Sequence, residues 1–117
     1  MAYLKHRLDG KVVSLYELSN KVIIGRSQAC DICLDDGTVS AKHAQVFLGD
    51  NVWQVEDLGS TNGLLVDGEK VVGITLEHES IFSIGTHQFE FLTITNDGLD
   101  KTLKIKKSWI PGVFYTQ

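Results

Sequence analysis

Val52-Trp53-Gln54-Val55-Glu56, Asp57-Leu58-Gly59-Ser60-Thr61-Asn62-Gly63 and Leu64-Leu65-Val66 follow one another directly: an apolar run, a polar break and a second apolar run. The flanking runs have strand character, and the second stops at Asp67-Gly68, a two-residue hairpin signal. The seven residues between them are therefore a loop pinned at both ends by strands. Glycine permits backbone conformations closed to other residues, and Ser60, Thr61 and Asn62 offer hydroxyl and amide groups within a short reach. Such a loop is either a plain turn, since these are the commonest turn residues, or a ligand contact. What lies upstream decides between them.

Outward from this loop the same punctuation recurs. Residues 3–8 and 11–18 flank Asp9-Gly10; residues 21–24 end at Gly25-Arg26; a short strand over 31–34 meets the turn Asp35-Asp36-Gly37-Thr38, and a second turn covers 39–43. Residues 44–48 and 52–56 flank Gly49-Asp50-Asn51, and beyond the loop come runs at 70–72, 74–76, 80–84 and 87–94. No window repeats apolar residues at helical spacing for three turns, so no long helix is expected. Ten or so short strands with regular turn signals predict an all-β sandwich whose loops gather at the two ends of the sheets.

A chain of 117 residues, 43% hydrophobic and with one proline, is one folded domain. Its formal charge of -4 hides an asymmetry: residues 1–100 carry fifteen acidic and seven basic residues, while residues 101–117 carry four lysines and no acid. An acidic body repels phosphodiester backbones, so nucleic acid is not expected as a partner. No apolar run reaches the length of a membrane span and no secretion signal opens the chain, which places the expected compartment in the cytoplasm. Cys30 and Cys33 form a C-x-x-C, but zinc needs two further ligands in matched spacing and none is present. In an extended segment residues three apart face opposite ways, so both cysteines are expected to be reduced, buried and structural, with no metal and no cofactor.

Three loops hold candidate anion-binding groups: Arg26 at a strand end, Ser40 with Lys42 and His43 in a turn, and Ser60, Thr61 and Asn62 in the opening loop. A phosphate calls for a guanidinium, directed hydroxyls and no carboxylate in contact. An amide such as Asn62 can also clamp the main chain of an extended peptide. With Gly25-Arg26, Ser40-x-x-His43, Ser60-Thr61-Asn62-Gly63 and Ile84-Gly85 before Phe89-Glu90-Phe91, the chain resembles the forkhead-associated (FHA) domain over roughly residues 3–94.

That resemblance implies eleven strands in two sheets and a phosphothreonine-peptide-binding module that recruits a phosphorylated protein, a substrate of a Ser/Thr kinase. It implies that Arg26 and Ser40 contact the phosphate, that Thr61 assists, and that Asn62 holds the peptide main chain, with Lys42 and Ser60 contributing and Gly25, His43 and Gly63 supporting the site. One departure stands out: many members carry Arg, Lys or Asn after the phosphate-binding serine, where this chain has Ala41. A charge-assisted hydrogen bond contributes about 1.5–3 kcal/mol, so the missing contact corresponds to roughly ten- to a hundred-fold in affinity. The alternative is a degenerate FHA-like domain that binds proteins or itself independently of phosphate. A small hydrolase built on His43 and Asp57 lacks a nucleophile elbow or a metal set. No catalytic residue is assigned.

The expected domain ends at residue 95, and residues 96–117 form a basic and apolar extension packed on it. Within the extension, 102–106 alternates apolar residues with lysine, as an edge strand does, and 109–115 clusters apolar residues around Pro111-Gly112. Deleting residues 98–117 is expected to lower solubility and the midpoint of thermal unfolding; an unchanged body would refute the packing.

Overall fold

The structure is a computed structural model and describes residues 1–94. Eleven strands are described: β1 (Ala2–Leu8), β2 (Lys11–Glu17), β3 (Lys21–Gly25), β4 (Ile32–Cys33), β5 (Ala44–Gly49), β6 (Val52–Asp57), β7 (Leu64–Val66), β8 (Glu69–Val71), β9 (Gly73–Thr75), β10 (Ile81–Ile84) and β11 (His87–Thr93). They form a six-stranded sheet in the order β2-β1-β11-β10-β7-β8 and a five-stranded sheet in the order β4-β3-β5-β6-β9. The expected all-β sandwich of two sheets is the fold observed. The expected strand at 102–106 and the apolar cluster at 109–115 lie outside the described residues.

Alternation sets which face is buried. Ala2, Leu4 and His6 of β1 and His87, Phe89 and Phe91 of β11 turn inward, while Val22, Ile24, Val46 and Val55 line the facing sheet. Phe82 and Phe89 stack at 5.4 Å between centroids, and Trp53 meets Phe91 at 5.8 Å. Three hairpins close through two residues that both have positive φ, Asp9-Gly10, Asp50-Asn51 and Asp67-Gly68. That geometry matches the twist of the strands it joins and fixes their register.

The departures from expectation are local. The strand expected over 31–34 shrinks to Ile32–Cys33, because its only pairing is a short parallel ladder, Ile24 with Ile32 and Gly25 with Cys33. Cys30 is buried as expected, but Cys33 is exposed: it lies on this edge strand, which has a neighbour on one side alone, and its side chain alternates outward from Ile32. Both thiols are free. Leu18 and Leu76 fall outside their strands yet stay buried.

The connections sort to two poles. The 26–31, 34–43 and 58–63 loops and the β10–β11 turn gather at one. At the other, the N-terminal ammonium donates to the Ile94 carbonyl at 2.8 Å and Leu18 N–H to the Ala2 carbonyl at 2.8 Å. Phe82→Ala is expected to destabilise the domain by about 3–5 kcal/mol, the usual effect of emptying a fully buried aromatic site, measurable by urea unfolding.

Candidate functional site

β3 delivers Arg26 to the first pole, and the residue before it lets a second loop close on the strand. A Cβ at Gly25 would lie 2.2 Å from the Ala41 carbonyl oxygen and 2.9 Å from Cys30 Sγ, so only a residue without a side chain fits. Through that gap Arg26 N–H donates to the Ser40 carbonyl at 2.9 Å, and Ser27 N–H and Cys30 Sγ–H donate to the Ala41 carbonyl at 3.1 Å each. Burial raises the Cys30 thiol above its ordinary pKa, keeping it protonated as this donor.

The loop from 34 to 43 is shaped by Asp36. Its Oδ1 accepts from Thr38 N–H at 2.9 Å and from the Thr38 hydroxyl at 2.8 Å, an Asx turn, and its Oδ2 faces His87 Nε2 at 3.0 Å. These bonds, those from Thr38 first and that from His87 after them, hold the carboxyl below the usual carboxylate range. The 57–63 loop is braced in the same manner: Asp57 Oδ2 accepts from Gly59 and Ser60 N–H at 3.0 Å each, and Oδ1 accepts from the Ser60 hydroxyl. The Ser60 hydroxyl in turn accepts from Gly63 N–H at 2.9 Å. Both functions of that hydroxyl are thus turned into its own loop.

Three contacts join the two loops. Thr61 N–H donates to the Ser40 hydroxyl oxygen at 3.0 Å, Asn62 Nδ2 donates to the Thr38 carbonyl at 2.9 Å, and His43 bridges them from below. His43 is fully buried. Its Nδ1 accepts from Ser40 N–H at 3.1 Å, so its proton sits on Nε2, which donates to the Gly63 carbonyl at 2.8 Å. With both ring nitrogens bonded to main chain and Asp57 bonded within its loop, neither residue of the hydrolase pairing is free to act on a substrate.

What remains outward is a set of polar groups, donors except for one amide oxygen. Arg26 and Lys42 are exposed, and among the described residues neither side chain has an acidic partner. Ser40, half-buried and holding Thr61 N–H on its oxygen, keeps its own proton to donate; Thr61 and Asn62 are exposed, with the Thr61 hydroxyl and the Asn62 Oδ1 unused within the loops. Ala41 is exposed and adds only a methyl group. The structure therefore brings Arg26, Ser40, Thr61 and Asn62 to one surface, with Gly25, His43 and Gly63 beneath it. Two concavities, of about 410 and 380 Å³, share no lining residue with this surface: one is lined by Met1, Trp53 and Ile94, the other by Arg7, Ser83, Gln88 and Thr86 of the β10–β11 turn.

Asp36, Thr38 and His87 were not among the expected residues. The Asp-x-Thr spacing is a recognisable Asx-turn signal, whereas the contact from His87, fifty-one residues away, has no local signature.

The model of the FHA domain matches residues 22–85, more than half of the chain. The chain belongs to the FHA domain family. It is 41% identical over 76 residues to the glycogen accumulation regulator GarA of Mycobacterium tuberculosis, covering 65% of this chain and 47% of GarA. The chain thus spans about half the length of the curated relatives it matches. Among solved structures, the FHA domain of the CT664 protein from Chlamydia trachomatis superposes with a TM-score of 0.71 at 31% identity, covering 80% of this chain and 98% of that one. Mycobacterium tuberculosis EmbR, in complex with a low affinity phosphopeptide, gives 0.70 at 32% identity, covering 78% of this chain and 24% of EmbR.

Because the Gly25 contact is with backbone, Gly25→Ala is expected to push the 40–41 segment off β3. Destabilisation by about 1–3 kcal/mol, typical of overpacking, should accompany altered amide shifts at Arg26, Ser40 and Ala41 in NMR spectra.

Proposed function

We propose that this FHA domain reads phosphothreonine in an extended peptide and acts as a non-enzymatic adaptor that recruits a phosphorylated protein, a product of a Ser/Thr kinase. The observation that carries the reading is the convergence of a guanidinium with no acidic partner among the described residues, two hydroxyls and an amide from three loops onto one open surface, inside an otherwise acidic body. Arg26 supplies the charge and the Ser40 and Thr61 hydroxyls the directed bonds to phosphate. Asn62, tied by one N–H to Thr38, keeps its oxygen for a peptide N–H and so fixes the register of the bound strand. Lys42 adds charge at the edge of the site. Ser60 belongs with Gly25, His43 and Gly63 as a brace, since its hydroxyl is already spent on Asp57 and Gly63.

The EmbR complex with a phosphopeptide supports this reading, and the bonding of His43 to main chain on both ring nitrogens suits a brace of the recognition loops. The free thiols at Cys30 and Cys33 suit a reducing compartment, the cytoplasm. The basic and apolar extension expected over residues 96–117 lies outside the described residues. Ala41 favours one second reading, phosphate-independent protein binding, because a methyl group cannot replace the polar side chain found at that position in many members.

Calorimetric titration with a degenerate phosphothreonine peptide library, its unphosphorylated twin and the Arg26→Ala variant tests the two against each other. The reader mechanism expects binding that requires phosphate and falls by roughly a hundred-fold or more in Arg26→Ala, with Ala41→Asn stronger by about ten-fold. Binding indifferent to phosphate and to Arg26 would instead establish the second reading.

A further inference from the structure

Beneath the recognition loops, a chain of three titratable side chains runs from the core to the 34–40 segment. His6 of β1 and His87 of β11 are both buried on the inner face of the six-stranded sheet. His6 Nε2 lies 2.8 Å from His87 Nδ1, and His87 Nε2 lies 3.0 Å from Asp36 Oδ2. The ionised carboxylate only accepts, so His87 carries its proton on Nε2 and offers Nδ1 as an acceptor; His6 then donates from Nε2. This leaves His6 Nδ1 as the free lone pair of the two rings. It is buried and has no partner among the described residues.

A further proton on this pair therefore ends as an N–H without an acceptor, or as a positive charge among aromatic rings. Phe89 stacks on His6 at 4.7 Å between centroids and Tyr16 of β2 at 6.2 Å. Ser14 of β2 pairs with His6, and Leu8 of β1 and Ile84 of β10 pair with His87; the facing sheet turns Val22, Ile24, Val46 and Val55 inward. Arg7 and Glu90 alternate to the outer face and bind each other at 2.9 Å, and Lys11, paired with Leu8, is exposed. Asp36 is thus the one carboxylate facing the pair among the described residues. Burial, and after it the charge His87 would carry, lower the His6 pKa from its ordinary 6.5.

The far end of the chain reaches the site. Asp36 Oδ1 holds the amide and hydroxyl of Thr38, the Thr38 carbonyl receives Asn62, and Ser40 follows two residues on. The β10–β11 turn closes on the same place: a Cβ at Gly85 (φ +60°) would lie 2.6 Å from Thr38 Oγ1.

We propose that the His6–His87–Asp36 relay is a positioning device for the phosphopeptide surface: intact, it holds Thr38, Ser40 and Asn62 in binding register, and proton uptake at His6 Nδ1, which puts an unpaired N–H and a charge among aromatic rings, drives that ring from its bond with His87, loosens the register and weakens binding of a phosphothreonine peptide. The inference rests on the reader function proposed above. With the folded pKa of His6 below 6.5, the relay is fully present above that pH and is lost as pH falls from there through the folded-state value. By linkage, peptide binding to the intact relay expels a proton wherever His6 is partly protonated in the free domain.

The test is calorimetry on the full chain with a phosphothreonine peptide at about pH 7.5 and about pH 5.5, near pH 6 in two buffers of different ionisation enthalpy, for wild type and the His6→Phe/His87→Gln double variant. The variant keeps a ring against Phe89 and an N–H toward Asp36 but does not titrate; should it fail to fold, His6→Gln alone removes the free lone pair while keeping a donor toward His87. The second ionisation of the peptide phosphate, near pH 6, affects all proteins alike. Wild type is expected to lose about ten-fold more affinity on acidification than the variant, the equivalent of a one-unit pKa shift, and to release more protons on binding. Equal pH profiles and equal proton counts would overturn the relay while leaving the reader function standing. Absence of phosphate-dependent binding by wild type at about pH 7.5 would overturn both.

Discussion

A neutral imidazole, fully buried between the Ser40 amide and the Gly63 carbonyl, is the interaction on which the recognition surface depends. The two loops it joins leave the same open end of the β5–β6 hairpin, where Ala44 pairs with Asp57, and each carries a main-chain group that would lie unpaired without it. An unpaired buried donor or acceptor costs about 1–3 kcal/mol, so His43 supplies more than one bond's worth of order to both loops together. Its position is itself a product of the sheet. His43 N–H donates to the Ile24 carbonyl and Leu58 N–H donates to the His43 carbonyl, each at 2.9 Å, so strand pairing runs on into the loops.

Around this bridge the site is organised by acids that do not face the ligand. Asp36 and Asp57 each fold a loop over their own carboxylate, taking main-chain N–H groups and hydroxyls inward. Their charges are spent locally, and the guanidinium of Arg26 meets no carboxylate among the described residues. An anion approaching the domain is thus repelled by the acidic body in general and attracted at one small surface, an arrangement that favours selectivity over affinity.

Much of this was legible in the sequence. Two-residue turn signals at Asp9-Gly10 and Asp67-Gly68 fixed hairpin register, and alternation in β1, β5 and β11 revealed the buried faces, because both signals are local. The residues converging on the site were also legible, through the resemblance of four short motifs in order. What was hidden depends on contacts between distant segments. Ser60 reads as a ligand contact until Asp57 is seen to claim its hydroxyl, and Cys33 reads as buried until β4 proves to be a two-residue edge. His6 and His87 are ordinary alternating positions until β1 and β11 pair and bring their rings together. Pairing across eighty-one residues leaves no trace in composition or periodicity.

The bond between the N-terminal ammonium and the Ile94 carbonyl has a consequence for how such a domain is carried. The first residue and the last described one sit side by side at the pole remote from Arg26 and Ser40. A segment joined ahead of Met1 and the chain that runs on from Ile94 both set out from that face, away from the recognition loops. Within the described residues the fold is therefore like a plug whose pins and whose handle are at opposite ends.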